Sequence, residues 1–245
     1  MKKSIIIMSL LLTTSAIANS FDGPYLGLSA GATMRNVDYK MTLLSAEVKR
    51  IISPYSKDYT KTGFVGGIYG GYGKTFDNIY IGGEGSVHYD SANGWENHSV
   101  NANFPHTSGI IIPGKMNFKT QYKKDIVFGL TARIGHIINK ELMVYIKPGL
   151  EISRDRFIRK NISVVTPDAT FPLSDSDSAS EWKIKLAPGI GFEYLILKNM
   201  IARLEYTCSV GINNKVKEKT ESNDDIGGEI SHVSHALRVG VAYKF

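Results

Sequence analysis

The sequence predicts an all-β chain, an eight-stranded antiparallel up-and-down β-barrel that crosses a membrane with its strands. Three observations carry that reading. Apolar residues alternate with small or polar ones through most of the chain, short and long connections alternate strictly, and no apolar run is long enough for a spanning helix. The 245 residues are 42% hydrophobic and 21% charged, with a mean hydropathy of −0.12. The one near-continuous apolar run, Ile5 to Leu12, falls well short of the ~20 residues a transmembrane helix needs.

That run belongs to an export leader. Lys2 and Lys3 form a basic start, Ile5 to Leu12 an apolar stretch, and Ala16-Ile17-Ala18 a small-x-small cleavage site. Cleavage is expected after Ala18, or alternatively after Ser20, leaving residues 19–245 as one barrel domain. The lone Cys208 excludes an intramolecular disulfide framework in an exported chain. Loss of the two leader lysines lowers the net charge from +6 to +4, too small an excess to argue for a nucleic-acid partner.

Eight segments follow the period of a strand with two different faces: Tyr25–Met34, Thr62–Phe76, Ile79–Tyr89, Asp125–Ile137, Leu142–Ser153, Glu181–Ile196, Met200–Val210 and Ser231–Phe245. The last is the clearest, with Leu237, Val239, Val241, Tyr243 and Phe245 alternating with Ala236, Arg238, Gly240, Ala242 and Lys244. Asp77-Asn78, Asn139-Lys140-Glu141 and Leu197-Lys198-Asn199 read as hairpin turns. The connections near 35–61, 90–124, 154–180 and 211–230 read as long polar loops. Hydrocarbon offers backbone groups no hydrogen-bond partners, so a sheet placed in it must close on itself. Pro148 and Pro188 interrupt two strands, each followed by Gly, and are expected to mark bulges.

Particular motifs then resemble a known family. Phe21-Asp22-Gly23-Pro24-Tyr25-Leu26-Gly27-Leu28-Ser29-Ala30-Gly31 looks like the opening strand of the small outer-membrane β-barrels of OmpA, opacity and rickettsial surface-antigen type. Gly66 to Gly73 and Ile81 to Gly85 are similar to that family's second and third strands. Val241, Tyr243 and Phe245 resemble its terminal signature, which implies recognition by the barrel-assembly machinery. The resemblance implies a bacterial outer-membrane location, with both termini periplasmic and the long loops at the cell surface.

The strand register places Glu84, Arg133, Lys147, Glu151, Lys183, Lys185, Glu193, Arg203, Glu205 and Arg238 on the inner face. Eight strands enclose a lumen that side chains just fill, and buried charges without partners are costly, so these groups are expected to pair across it as a structural charge network. His88, two and four residues beyond Ser86 and Glu84 on one face, makes a His/Ser/Glu set geometrically possible. His98 and His106 read as loop residues, and His232 and His235 lie on opposite faces, a poor metal pair. The glycines from 66 to 73 lack the G-K-[ST] of a phosphate loop and read as strand positions. Lys49-Arg50 beside Ile51-Ile52 could touch lipopolysaccharide phosphates or be solvated.

The expected role is structural or surface-interactive, that of an adhesin or antigen, carried by four extracellular loops on a largely plugged barrel. A narrow porin-like channel and a lipid A-modifying enzyme are the alternatives. Catalytic residues, a metal site and a cofactor are not expected. The expected partners are outer-membrane lipid and lipopolysaccharide, the assembly machinery and a host-surface ligand, for a monomeric protein.

Overall fold

The computed structural model describes residues 21–43, 55–105, 111–211, 216–217 and 226–245. The leader, the Lys49-Arg50-Ile51-Ile52 segment and His106 lie outside the described residues. Twelve antiparallel strands are formed among those described: β1 (Gly23–Leu43), β2 (Ser56–Phe76), β3 (Ile79–Asp90), β4 (Trp95–Pro105), β5 (Ile111–Ile137), β6 (Leu142–Lys147), β7 (Gly149–Val165), β8 (Thr170–Leu186), β9 (Gly189–Leu197), β10 (Met200–Gly211), β11 (Val216–Lys217) and β12 (Ile226–Lys244).

The ladders run β12–β1–β2–β3–β5, continue through β6 and β7 to β9 and β8, and return through β10 to β12. Eight positions thus follow one another round a closed ring, two of them filled by collinear pairs, β6 with β7 and β9 with β8. Closure pairs every ring strand on both sides, which suits a sheet that has no water to bond its edges. Short turns join the strands at one end. Asp77 adopts φ 55° in the two-residue Asp77-Asn78 link, a left-handed conformation that aspartate tolerates. Asn139 Oδ1 accepts from the Glu141 and Leu142 amides at 2.9 and 2.8 Å.

The outer face of this end is apolar. On β1 Leu26 and Leu28 point outward with more than half their surface exposed, as do Phe64, Ile68 and Phe76 on β2. Phe64 to Phe76 spans about 40 Å of strand, or about 30 Å of depth at a typical tilt of about 40°, close to the thickness of a hydrocarbon core.

The four long connections differ from expectation. β1 and β2 run on to Leu43 and back from Ser56, β4 and the first half of β5 form a hairpin, β7 and β8 extend to Val165 and from Thr170, and β12 begins at Ile226. The reason is a phase reversal that leaves the period of 2 intact. Along β1 the inward residues Thr33 and Arg35 give way to Val37, Tyr39 and Met41, while the outward Met34 gives way to Asn36 and Lys40. Along β7 the outward residues change from Leu150 and Ile152 to Arg154 and Arg156 as Phe157 turns inward. Above the apolar belt the sheet has the polarity of a water-soluble barrel, with Tyr39, Met116, Phe118, Tyr122 and Phe157 packed inside it. His98 belongs to this core on β4, stacked 4.8 Å from Phe118, and is not a loop residue.

The two prolines also differ from expectation, because neither creates a bulge. The register of β5 against β6 and β7 is unchanged across Pro148, and Pro148 and Pro188 fall on the same rung between the β6–β9 and β7–β8 ladders. At that rung the missing N–H groups point away from one another. Pro148 still accepts from the Ala132 amide at 3.0 Å and Pro188 from the Cys208 amide at 2.9 Å. Each proline removes one bond of a reciprocal pair and leaves the other.

Candidate functional site in the barrel interior

The inward faces stack into layers. At the short-turn end Phe21, Tyr25, Tyr69, Tyr80, Met143, Tyr145, Ile201 and Ala242 form an apolar and aromatic floor, with Leu195 partly buried against it. Inward Ile201 and Leu195 are apolar because they belong to this floor. Glycine lets the rings fit. A β-carbon on Gly73 would strike the Tyr80 ring, and one on Gly191 the Tyr145 ring.

Over the floor lies a connected charge network. Glu84 meets Arg203 Nη1 at 2.6 Å and sits 3.8 Å from Arg133 and 3.7 Å from Lys147. Glu193 lies 2.8 Å from Arg133 and 2.6 Å from Arg203. Glu205 binds Lys147 at 2.9 Å and Arg238 at 3.0 Å. Floor tyrosines complete the set, with Tyr25 donating to Glu84 and Tyr145 donating to Glu205, both at 3.0 Å. The Arg133 guanidinium stands 4.1 Å from the Tyr145 ring centre and that of Arg203 3.9 Å from Tyr69, where the ring faces attract cations.

Seven of the ten residues assigned inward by sequence therefore meet in one network: Glu84, Arg133, Lys147, Glu193, Arg203, Glu205 and Arg238. Glu151 lies a layer higher, bound to Lys124 at 3.1 Å and to the Ser209 hydroxyl at 2.7 Å. Lys185, the cross-strand partner of Glu151, reaches up to Asp155 at 2.8 Å, and Lys183, one inward position higher, reaches Glu181 at 2.9 Å. Val241, Tyr243 and Phe245 face outward at the short-turn end, with the last two rings 5.1 Å apart.

Sequence reasoning missed Arg35, Asp90, Lys124, Asp155 and Tyr122, because all lie in segments read as loops. Arg35 pairs with Asp90 at 2.7 Å. Tyr122 donates to Asp155 and lies 3.1 Å from His232 Nε2. The signal that could have found them is the unbroken period of 2 from Tyr25 to Met41 and from Glu151 to Phe157.

Within the charged layers little space remains. Two interior cavities have volumes of about 20 and 10 Å³. A water needs about 10–15 Å³ on such a measure, so each has room for about one. His88 lines both. Among the described residues its Nδ1 has no hydrogen-bond partner, while the Glu84 carboxylate is held by cations and Tyr25, so His88, Ser86 and Glu84 are not joined as a relay. His232 is buried inside and His235 faces outward, bonded to Tyr206 at 2.7 Å. Among the described residues no three His, Cys, Asp or Glu side chains converge as a metal site.

Comparison with solved structures found barrels of the bacterial outer membrane. The outer membrane protease OmpT from Escherichia coli is similar at 11% identity and a TM-score of 0.47, over 95% of this chain and 100% of that one. Neisserial surface protein A is similar at 14% identity and a TM-score of 0.40, over 91% and 98%. The outer membrane protein OprG from Pseudomonas aeruginosa is similar at 10% identity and a TM-score of 0.43, over 91% and 96%. A search of curated protein sequences gave no significant match. The family model for the outer membrane protein beta-barrel domain matches residues 4–245, and the chain belongs to that family.

Proposed function

We propose that this outer-membrane protein is an eight-stranded transmembrane barrel with a plugged lumen, and that its role is structural or surface-interactive rather than catalytic. In this reading the leader is cleaved, the short turns and both termini face the periplasm, the terminal signature engages the assembly machinery, and the monomer stands in lipid and lipopolysaccharide. The strand extensions with their apolar core stand above the belt, where a host-surface ligand can meet them.

The supporting observation is the interior. Among the described residues, the aromatic floor and the charge network above it hold cavities of about 20 and 10 Å³, while a wider cavity of about 510 Å³ opens higher up beside Val37, Tyr59 and His232. A solute path needs a continuous water column, and the two cavities that His88 lines have room for about one water each.

Two measurements test the proposal. Protein with verified insertion should leave planar bilayers silent, and discrete conductance steps would overturn the plugged reading. Replacing the β4–β5 hairpin above Trp95 and Gln121 and the β7–β8 hairpin above Asp155 and Glu181 by short turns should lower bacterial attachment to host cells while the barrel still assembles. Unchanged attachment would remove the surface-interaction role.

A further inference from the structure

Above the belt the sheet is interrupted between β2 and β4. β3 pairs with β2 only from Val65 to Phe76, and the ladder of β4 runs to β5. Among the described residues no backbone hydrogen bond joins β2 to β4. The two strands run in opposite directions from a base at Gly63, where a β-carbon would strike the Ala92 backbone. Over nearly all their length their Cα atoms stand more than 8 Å apart. Directly paired strands would lie about 4.8 Å apart, and strands with one more between them about 9.6 Å. The gap therefore has the width of one further strand.

Both margins of the gap present backbone bonding groups. These groups alternate sides along an antiparallel strand. Phe64 bonds Ser91 on the β3 side, so Thr62, Thr60 and Asp58 turn their N–H and C=O groups the same way, into the gap. Trp95 and Asn97 do so from β4, and their carbonyls are taken by side chains of the opposite margin. Lys61 Nζ donates to the Trp95 carbonyl and Lys57 Nζ to that of Asn97, both at 3.0 Å. The same two ammonium groups share the Glu96 carboxylate, at 2.9 and 2.5 Å. Two cations on one carboxylate leave the gap with an excess of positive charge. Between the lysines, on the same inward face, Tyr59 packs partly buried against the upper core.

We infer that the gap between β2 and β4 receives an extended segment of another polypeptide as an added strand, with an acid, an aromatic residue and an acid at alternate positions. Such a strand bonds the free N–H and C=O groups of both margins. Its inward side chains come opposite Lys61, Tyr59 and Lys57, where a carboxylate, a ring and a carboxylate are the stabilising cross-strand partners. Entry releases the Trp95 and Asn97 carbonyls from the lysines and turns the lysines onto the incoming carboxylates. Inward lysines at a free edge ordinarily keep strands off it. Here they set a condition of entry. A segment without acids leaves two ammonium groups to one carboxylate, whereas a segment that brings acids pairs them.

The test uses the full chain folded in detergent micelles and the dye-labelled peptide Thr-Thr-Glu-Thr-Phe-Thr-Glu-Thr-Thr, followed by fluorescence anisotropy. The unaltered chain should bind this peptide saturably. The double variant Lys57→Gln/Lys61→Gln should bind it about tenfold more weakly, the loss of a charge-assisted hydrogen bond or more. A peptide methylated on alternate backbone nitrogens keeps its charge but loses its donors to one margin, and should also bind about tenfold more weakly. Thr60→Pro removes one N–H that faces the gap and leaves the β1 ladder its bonds, so it too should weaken binding. Lys119→Gln, on the outward face of β5, should bind as the unaltered chain does. Heat-modifiable migration on a denaturing gel shows that each variant is folded. Equal binding of the methylated peptide would overturn the inference by showing charge attraction without strand addition. Equal binding by the folded lysine double variant would overturn it as well, as would the absence of saturable binding by the unaltered chain. Attachment to host cells is measured separately, so this site and the surface-interaction role fail independently.

Discussion

Replacing Glu205 by Gln keeps the shape of the side chain and removes one buried negative charge. Its carboxylate holds Lys147 at 2.9 Å, Arg238 at 3.0 Å and the Tyr145 hydroxyl at 3.0 Å. After the substitution the only carboxylate within 4 Å of Lys147 is Glu84, 3.7 Å away, and Arg238 is left with neutral acceptors, the amide oxygen and the Thr207 hydroxyl at 2.7 Å. Removing one partner of a buried pair costs about 3–5 kcal/mol, mostly because the other charge is left uncompensated. Glu193→Gln makes a useful contrast. Its partners Arg133 and Arg203 both still face Glu84, at 3.8 and 2.6 Å, so the loss is closer to that of one charged hydrogen bond, about 1.5–3 kcal/mol. Adding Arg238→Met to Glu205→Gln removes the stranded cation and should recover part of the loss, since buried pairs exchanged for apolar groups are often neutral. Denaturant unfolding of the vesicle-inserted protein, followed by Trp95 and Trp182 fluorescence, measures all three. If Glu205→Gln unfolds within about 0.5 kcal/mol of the unaltered chain, or no more easily than Glu193→Gln, the network does not brace the barrel as argued.

Three further outcomes follow from the same geometry. Arg133→Ala combined with Arg203→Ala empties the centre of the plug, and in planar bilayers the folded double variant should show small conductance steps where the unaltered chain shows none. Burial holds the His98 imidazole down at about 4 from an ordinary 6.5, with Lys57 nearby adding to the effect. Because the folded extension then binds this proton less readily than the unfolded one, stability is full above pH 6.5 and declines as pH falls toward 4. Amide protection factors in the β4–β5 hairpin, that is, exchange rates referred to the intrinsic rate at each pH, should therefore fall at pH 4.5 relative to pH 7, and His98→Phe should flatten that difference. A β-carbon at Gly31 would overlap the Leu237 carbonyl oxygen and crowd the Arg238 Cα at 2.8 Å. Gly31→Ala should thus cost about 1–3 kcal/mol of overpacking, read as a lower denaturant midpoint.

The ring strands were legible in the sequence wherever lipid faces one side and the lumen the other. In β12, Leu237 to Phe245 declare both faces residue by residue. The extensions were hidden because the test applied was apolar outside and polar inside, and Val37, Tyr39 and Met41 reverse it without leaving the alternation. Pro148 and Pro188 misled for a related reason. Taken alone each is a missing donor, whereas the fold sets them on a shared rung and keeps the accepting bond of each. The lumen charges were found because charged residues on a strand's minority face are conspicuous. Their tyrosine partners were not, since Tyr25 and Tyr145 look like ordinary strand aromatics until the register turns their hydroxyls toward Glu84 and Glu205.

The phase reversal also fixes where the barrel stands. One alternating strand can be apolar outward in hydrocarbon and apolar inward in water, but the switch must fall at the boundary between the two solvents. On β1 it falls between Met34 and Asn36, on β7 between Ile152 and Arg154, and on β5 between Ile126 and Lys123, beside the Lys124/Val127 irregularity in its pairing with β7. That irregularity changes the register where the environment changes, a place where bulges commonly occur. The charge layers of Arg35 with Asp90 and Lys185 with Asp155 lie at this level, between an apolar upper core and a charged lower lumen. They are buried from both solvents and serve as the seam where a membrane barrel becomes a water-soluble one.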